Sequence, residues 1–166
     1  MPTEQEIRSE VGAWLEANWS PDRPLRAWRE LLLEARWAAP AGPEAYFGRG
    51  WTQAEAGIVA RTFREFGAVG AASAGPRSLA AETILAHGDD AQKRRYLPPI
   101  LTGEEAWCQL FSEPGSGSDL AGLATRAERD GDRWIMNGQK VWNTSAHHAD
   151  FGILVARTDW EVPKHQ

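Results

Sequence analysis

Trp107-Cys108-Gln109-Leu110-Phe111-Ser112-Glu113-Pro114-Gly115-Ser116-Gly117-Ser118-Asp119 is the stretch on which the reading of this chain turns. Its first six residues are apolar-rich and extended in pattern. Glu113 precedes a proline, whose ring disfavours helical geometry in the residue before it. Pro114-Gly115 fits the central pair of a type II turn, whose second position needs a residue tolerant of positive φ. Gly117 removes the side chain that would hold a ligand away from the backbone. Successive exposed amides in such a turn form a donor concavity suited to an anionic or carbonyl-rich ligand, and Ser112, Ser116 and Ser118 add hydroxyls. Two common phosphate loops are excluded: Leu120 stands where the dinucleotide fingerprint needs its last glycine, and no Gly-Lys-Ser/Thr is present. By composition alone the segment reads as a Gly/Ser-rich surface turn.

Upstream of this stretch the pattern is helical. Thr3-Glu4-Gln5-Glu6 is a capping box, and Ile7, Val11, Trp14 and Leu15 follow at helical spacing until Pro21. A second helix is predicted from Pro24, with Leu25, Trp28, Leu31, Leu32 and Ala35 on one face. Residues 38–50 read as a loop. Thr52-Gln53-Ala54-Glu55 is a second capping box, opening a helix to about Gly67 or Gly70. A fourth helix is predicted around Leu79, Thr83 and Ile84, ending near Gly88. Asp89-Asp90 opens a fifth through Tyr96 and Leu97, which Pro98-Pro99 is expected to break.

Downstream the period becomes that of strands. Asp130-Gly131 and Asn137-Gly138 match hairpin turns in which both central residues have φ > 0. Segments 124–129, 132–136, 139–144 and 151–157 read as short strands. The fold class predicted is α+β: an N-terminal all-α helical bundle over 1–105, then the start of an antiparallel β-barrel-like domain over 106–166. A β-region of four or five strands leaves an unpaired edge, so the chain is expected to be the front part of a longer protein.

Composition excludes several classes. The 166 residues carry a net charge of −5 with no basic run beyond Lys93-Arg94-Arg95, which argues against nucleic acid as a partner. No apolar run approaches the ~20 residues that span a bilayer, and the acidic N-terminus lacks the pattern of a signal peptide. Cys108 is the only cysteine; it fits a reducing cytoplasm and a buried place on the first strand. His147-His148 with Asp150 is not read as a metal site, because adjacent residues on a strand point to opposite faces.

The ordered set of motifs resembles the acyl-CoA dehydrogenases. Cys108 to Gly122 is similar to that family's signature segment, and Asp130 to Trp134, Asn137-Gly138-Gln139-Lys140-Val141-Trp142 and Ala149-Asp150 follow in family order. Upstream, Gln92 to Pro98 is similar to the last helix before the family's β-domain. The resemblance is strong from about 85 to 166 and weaker before. Its local style is closest to actinobacterial-type members with branched or polycyclic acyl substrates. It implies an FAD-dependent oxidoreductase that dehydrogenates an acyl-CoA thioester at its α,β bond, in fatty-acid or related lipid degradation.

Carried over by position, it implies FAD contacts from Gln109, Leu110, Phe111, Ser112, Gly117, Ser118, Trp142 and Thr144. Trp142 would cover the flavin ring, Thr144, with Asn143 and Ser145 as the alternatives, would bond near its N5 or O4 edge, and Ser118 would also approach the acyl-CoA. The catalytic base would be a carboxylate in a C-terminal helical domain beyond this chain, so no catalytic residue is assigned and Glu113 is not promoted to that role. The 166 residues alone are expected to be inactive and to retain flavin weakly. The implied partners are an electron-transfer flavoprotein and further copies of the chain or a related subunit. Two other readings stay open: a catalytically silent flavin- or CoA-binding partner subunit, and a flavin monooxygenase or oxidase on the same fold.

Overall fold

In the computed structural model, α1 (Glu4–Asn18) opens at a complete capping box. The Glu6 carboxylate accepts from the Thr3 amide at 2.7 Å while Thr3 Oγ1 accepts from the Glu6 amide. Ile7, Val11 and Leu15, one face at i, i+4 and i+8, are fully buried. The second capping box works the same way at Thr52 and Glu55 and opens α3 (Gln53–Phe66), which ends on Gly67 in the left-handed conformation. Pro24 caps α2 (Leu25–Glu34), and α4 spans Pro76–His87. That start is three residues earlier than the apolar spacing suggests, because Pro76 fits a first turn where its missing N–H has no partner to lose. Residues 2–72 and 75–164 are described, and they fall into two units, Met1–Glu105 and Ala106–Gln166.

The expectation that Pro98-Pro99 breaks the fifth helix is wrong: α5 runs from Asp90 to Thr102 with both prolines inside. Two helical hydrogen bonds are lost there. Two features offset the loss. The Thr102 hydroxyl donates to the carbonyls of Pro98 and Pro99, and Leu97, Ile100 and Leu101 are buried just around the prolines. Asp89 and Gln92 also form a third capping box that holds the start of α5.

The helical core gathers Trp28, Leu32, Trp37, Val59 and Phe63 around the buried face of α1. Trp14 and Trp19 pack on Trp28 with ring centroids 5.4 and 4.8 Å apart, and the Trp28 indole N–H donates to the Val69 carbonyl at 2.7 Å. Burying that donor beside an acceptor avoids the cost of an orphaned polar group.

In the second unit, β1 (Trp107–Leu110) pairs in parallel with β4 (Phe151–Leu154), and β2 (Arg126–Asp130) pairs antiparallel with β3 (Arg133–Asn137). Cys108 is buried on β1, opposite Gly152. Three sequence expectations fail locally. Residues 139–144 form no strand; Trp142 (φ 60) and Ser145 (φ 61) are left-handed, which breaks an extended run. The β2–β3 turn has Gly131-Asp132 at its centre, not Asp130-Gly131, because Asp130 pairs with Arg133, and only Gly131 has positive φ. Asn137-Gly138 is not such a turn at all: neither residue has positive φ. Gly138 is needed instead because a Cβ there would lie 2.3 Å from Thr125 Oγ1.

Candidate functional site

The loop after β1 is held from inside by one buried ion pair. Glu113 and Lys140 meet at 2.8 Å, each side chain 7% exposed. Lys140 Nζ also donates to the Phe111 carbonyl at 2.9 Å. The Glu113 carboxylate further accepts from the amides of Ala124 (2.5 Å) and Thr125 (2.8 Å). Burial pushes this carboxyl up, but Lys140 and those amides outweigh burial and hold its pKa down at about 2. Glu113 is therefore an ionised clamp that ties three separate segments together.

The turn at Pro114-Gly115 closes between Glu113 and Ser116, whose amides and carbonyls exchange bonds at 2.7 and 3.1 Å. Gly115 does not have positive φ, so the expected type II geometry is not adopted. The flanking pair exchange satisfies the backbone without it. Ser116 turns inward, donating to the Asp119 carbonyl at 2.6 Å, whereas Gly117 and Ser118 face solvent.

The Val141 amide donates to the Ser112 carbonyl at 2.9 Å, which brings the Lys140–Trp142 segment alongside the start of the loop. Trp142 is 89% exposed. Gln109 is exposed on β1; Leu110, Phe111 and Ser112 are half-buried; Thr144 is exposed. All eight residues expected to serve the cofactor thus lie on β1, the 111–118 loop or the 140–144 segment, and the Val141–Ser112 bond joins the last two. His147 and His148 sit in a 3-10 turn, not a strand, with ring centroids 4.0 Å apart. Lys140 was missed: nothing in its local sequence separates it from a solvated surface lysine, and its partner lies 27 residues away. Asn143, an alternative to Thr144 at the flavin edge, is half-buried with an Oδ1 unpartnered among the described residues.

Two family descriptions match the chain: "Acyl-CoA dehydrogenase, N-terminal domain" over residues 2–104 and "Acyl-CoA dehydrogenase, middle domain" over 108–166. The acyl-CoA dehydrogenase IpdE1 of Mycobacterium tuberculosis is 35% identical over 178 aligned positions, covering 97% of this chain and 46% of its own. One chain of the ChsE4-ChsE5 complex from M. tuberculosis is 31% identical with a TM-score of 0.67, over 97% of this chain and 44% of that one. A glutaryl-CoA dehydrogenase from Mycobacterium smegmatis, in complex with FADH2, is 29% identical with a TM-score of 0.56, over 94% and 42%. The chain spans less than half the length of the curated relatives it matches. Matched along nearly its whole length by both descriptions, this chain belongs to the acyl-CoA dehydrogenase family.

Proposed function

We propose that this chain supplies the flavin- and acyl-CoA-facing surface of an FAD-dependent acyl-CoA dehydrogenase that oxidises fatty or related acyl thioesters. One observation carries the reading: Trp142 holds a left-handed backbone, a cost of about 1–3 kcal/mol for a residue with a side chain, and leaves its indole 89% exposed. The bonds of Lys140 and Val141 to the loop hold that backbone, but nothing among the described residues covers the indole. A flat aromatic ligand lying on the indole would cover it.

The donor set fits a flavin. Such a ring has apolar faces and polar edges. The amides of Ser112, Gly117 and Ser118 make no backbone hydrogen bond outside regular elements among the described residues, and a Cβ at Gly117 would meet nothing within 4 Å. Gln109 to Ser112, Gly117 and Ser118 would hold the pyrimidine side of the ring, Trp142 its face, Thr144 the N5 or O4 edge, and Ser118 the acyl-CoA.

FAD, when bound, supplies the hydride acceptor for the β-carbon. The chain's own contribution is placement: donors aimed at a ring edge stabilise negative charge there and cost no reorganisation during reaction. Glu113 takes no part as a base. It is buried, triply bonded and acidic enough at about 2 to have almost no affinity for an α-proton. The electron acceptor is an electron-transfer flavoprotein. The working form is an oligomer with copies of the chain or a related subunit, in the cytoplasm.

Anaerobic titration tests this in the flavin-loaded enzyme containing these residues, using straight, branched and polycyclic acyl-CoA thioesters. Bleaching of the visible flavin band by at least one class is expected. A yellow protein that none of them bleaches contradicts the dehydrogenase reading and favours a silent subunit.

A further inference from the structure

Lys140 makes two bonds from one buried ammonium, and only one of them serves the ion pair. Its side chain is 7% exposed, its Nζ donates to Glu113 at 2.8 Å, and a second N–H goes to the Phe111 carbonyl at 2.9 Å. Tying Glu113 down does not need the bond to Phe111. The carboxylate is already held by the Lys140 ammonium and by the Ala124 and Thr125 amides. The second bond acts on a different part of the loop, the peptide between Phe111 and Ser112.

That peptide is a rigid plane, and in its trans form the C=O and the N–H point in opposite directions. Drawing the Phe111 carbonyl onto Lys140 therefore turns the Ser112 N–H away from the clamp. The next peptide is fixed as well. The Ser112 carbonyl accepts from the Val141 amide at 2.9 Å, and the Glu113 N–H of the same plane donates to the Ser116 carbonyl at 2.7 Å. With both flanking planes held, Ser112 has no soft dihedral left. Its outward N–H donates to no backbone carbonyl among the described residues, and Ser112 itself is only half-buried. A donor that is fixed in direction and left open is what developing negative charge requires, because it needs no reorganisation when the charge appears.

We infer that Lys140 is a positioning residue for the flavin: through the Phe111 carbonyl it sets the direction of the Ser112 N–H, which donates to the pyrimidine side of the ring and favours the reduced, more electron-rich form over the oxidised one. This role rests on the flavin reading. It gives Lys140 no contact with cofactor or substrate.

Lys140→Met alone also strands a buried carboxylate, so the deciding variant is K140M combined with E113Q, which removes both charges together. K140R keeps a cationic donor at the same position. In the flavin-loaded full-length enzyme, the flavin midpoint potential is measured for the parent, the double variant and K140R, and hydrogen exchange at the Ser112 amide is followed with and without FAD. Thermal melts check that each variant is folded. The double variant is expected to lose about tenfold of its preference for reduced over oxidised flavin, the worth of one hydrogen bond to a charged group. For a two-electron couple that is a fall of about 30 mV in the midpoint. FAD should protect the Ser112 amide in the parent and protect it less in the double variant, and K140R should keep both parent properties. An unchanged midpoint or undiminished Ser112 protection in the double variant overturns the inference, as does a folded K140R that behaves like the double variant. Loss of all flavin uptake by a folded double variant also overturns it, since that marks Lys140 as a support for the whole loop. A parent that loads flavin and is bleached by an acyl-CoA, yet gains no protection at Ser112, overturns the inference and leaves the flavin reading standing. A parent that takes up no flavin overturns both.

Discussion

Lys140→Met removes the only cation from the clamp beneath the loop and leaves Glu113 buried with its two amide bonds. The lost contacts are one charge-assisted bond at 2.8 Å and one bond to the Phe111 carbonyl at 2.9 Å. Breaking a buried pair by deleting one partner costs about 3–5 kcal/mol when nothing else compensates. Here the amides still hold the carboxylate and methionine replaces the apolar stem, so about 2 kcal/mol is expected near neutral pH.

The pH dependence supplies a second check. The folded pKa of Glu113 is depressed from 4.5 to about 2. Its stabilisation is therefore present above pH 4.5 and lost as the pH falls from there towards 2. Linkage puts that contribution at about 3 kcal/mol at most. K140M takes away the strongest of the groups that lower the pKa, so less is left to lose and the gap between parent and variant should narrow in acid. Hydrogen exchange at the Ala124 and Thr125 amides, read across that pH range, reports the clamp directly. Protection equal in parent and K140M, or a difference that does not vary with pH, would refute the reasoning.

Other substitutions test the remaining supports. Gly152→Ala puts a Cβ 2.6 Å from Leu110 Cδ1 on the paired strand; overpacking of this kind costs about 1–3 kcal/mol, read as a lower denaturation midpoint. Thr52→Ala deletes the hydroxyl that accepts from the Glu55 amide and donates to the Glu55 carboxylate, leaving only the backbone half of the capping box of α3; a loss of about 1 kcal/mol is expected by urea titration.

How much of this was legible in the sequence depended on how local the physics was. Thr3-Glu6 and Thr52-Glu55 specify their helix starts within four residues, and both caps form as read. The apolar face of α1 was equally plain, since its period alone selects Ile7, Val11 and Leu15. Failures came where a distant contact decided the outcome. Pro98 and Pro99 stay helical because Thr102 and the buried residues around them compensate, which local propensity does not show. Residues 139–144 alternate like a strand, yet Lys140 is drawn to Glu113 and Phe111 and Val141 to Ser112, and Trp142 turns left-handed. Asn137-Gly138 looked like turn chemistry, but its glycine answers to the Thr125 side chain 13 residues earlier. The candidate cofactor residues were recognisable only because several motifs recur in order; the loop by itself read as a surface turn.

The most direct test of the account is FAD affinity and thermal stability measured side by side in the parent and in Trp142→Gly. Glycine relieves the left-handed strain, so the variant should melt as high as the parent or higher. It also removes the aromatic face, so flavin binding should weaken by about 30-fold, the equivalent of about 2 kcal/mol of lost apolar contact. A variant that binds FAD as tightly as the parent would contradict the claim that Trp142 and the 112–118 loop form a flavin-facing surface.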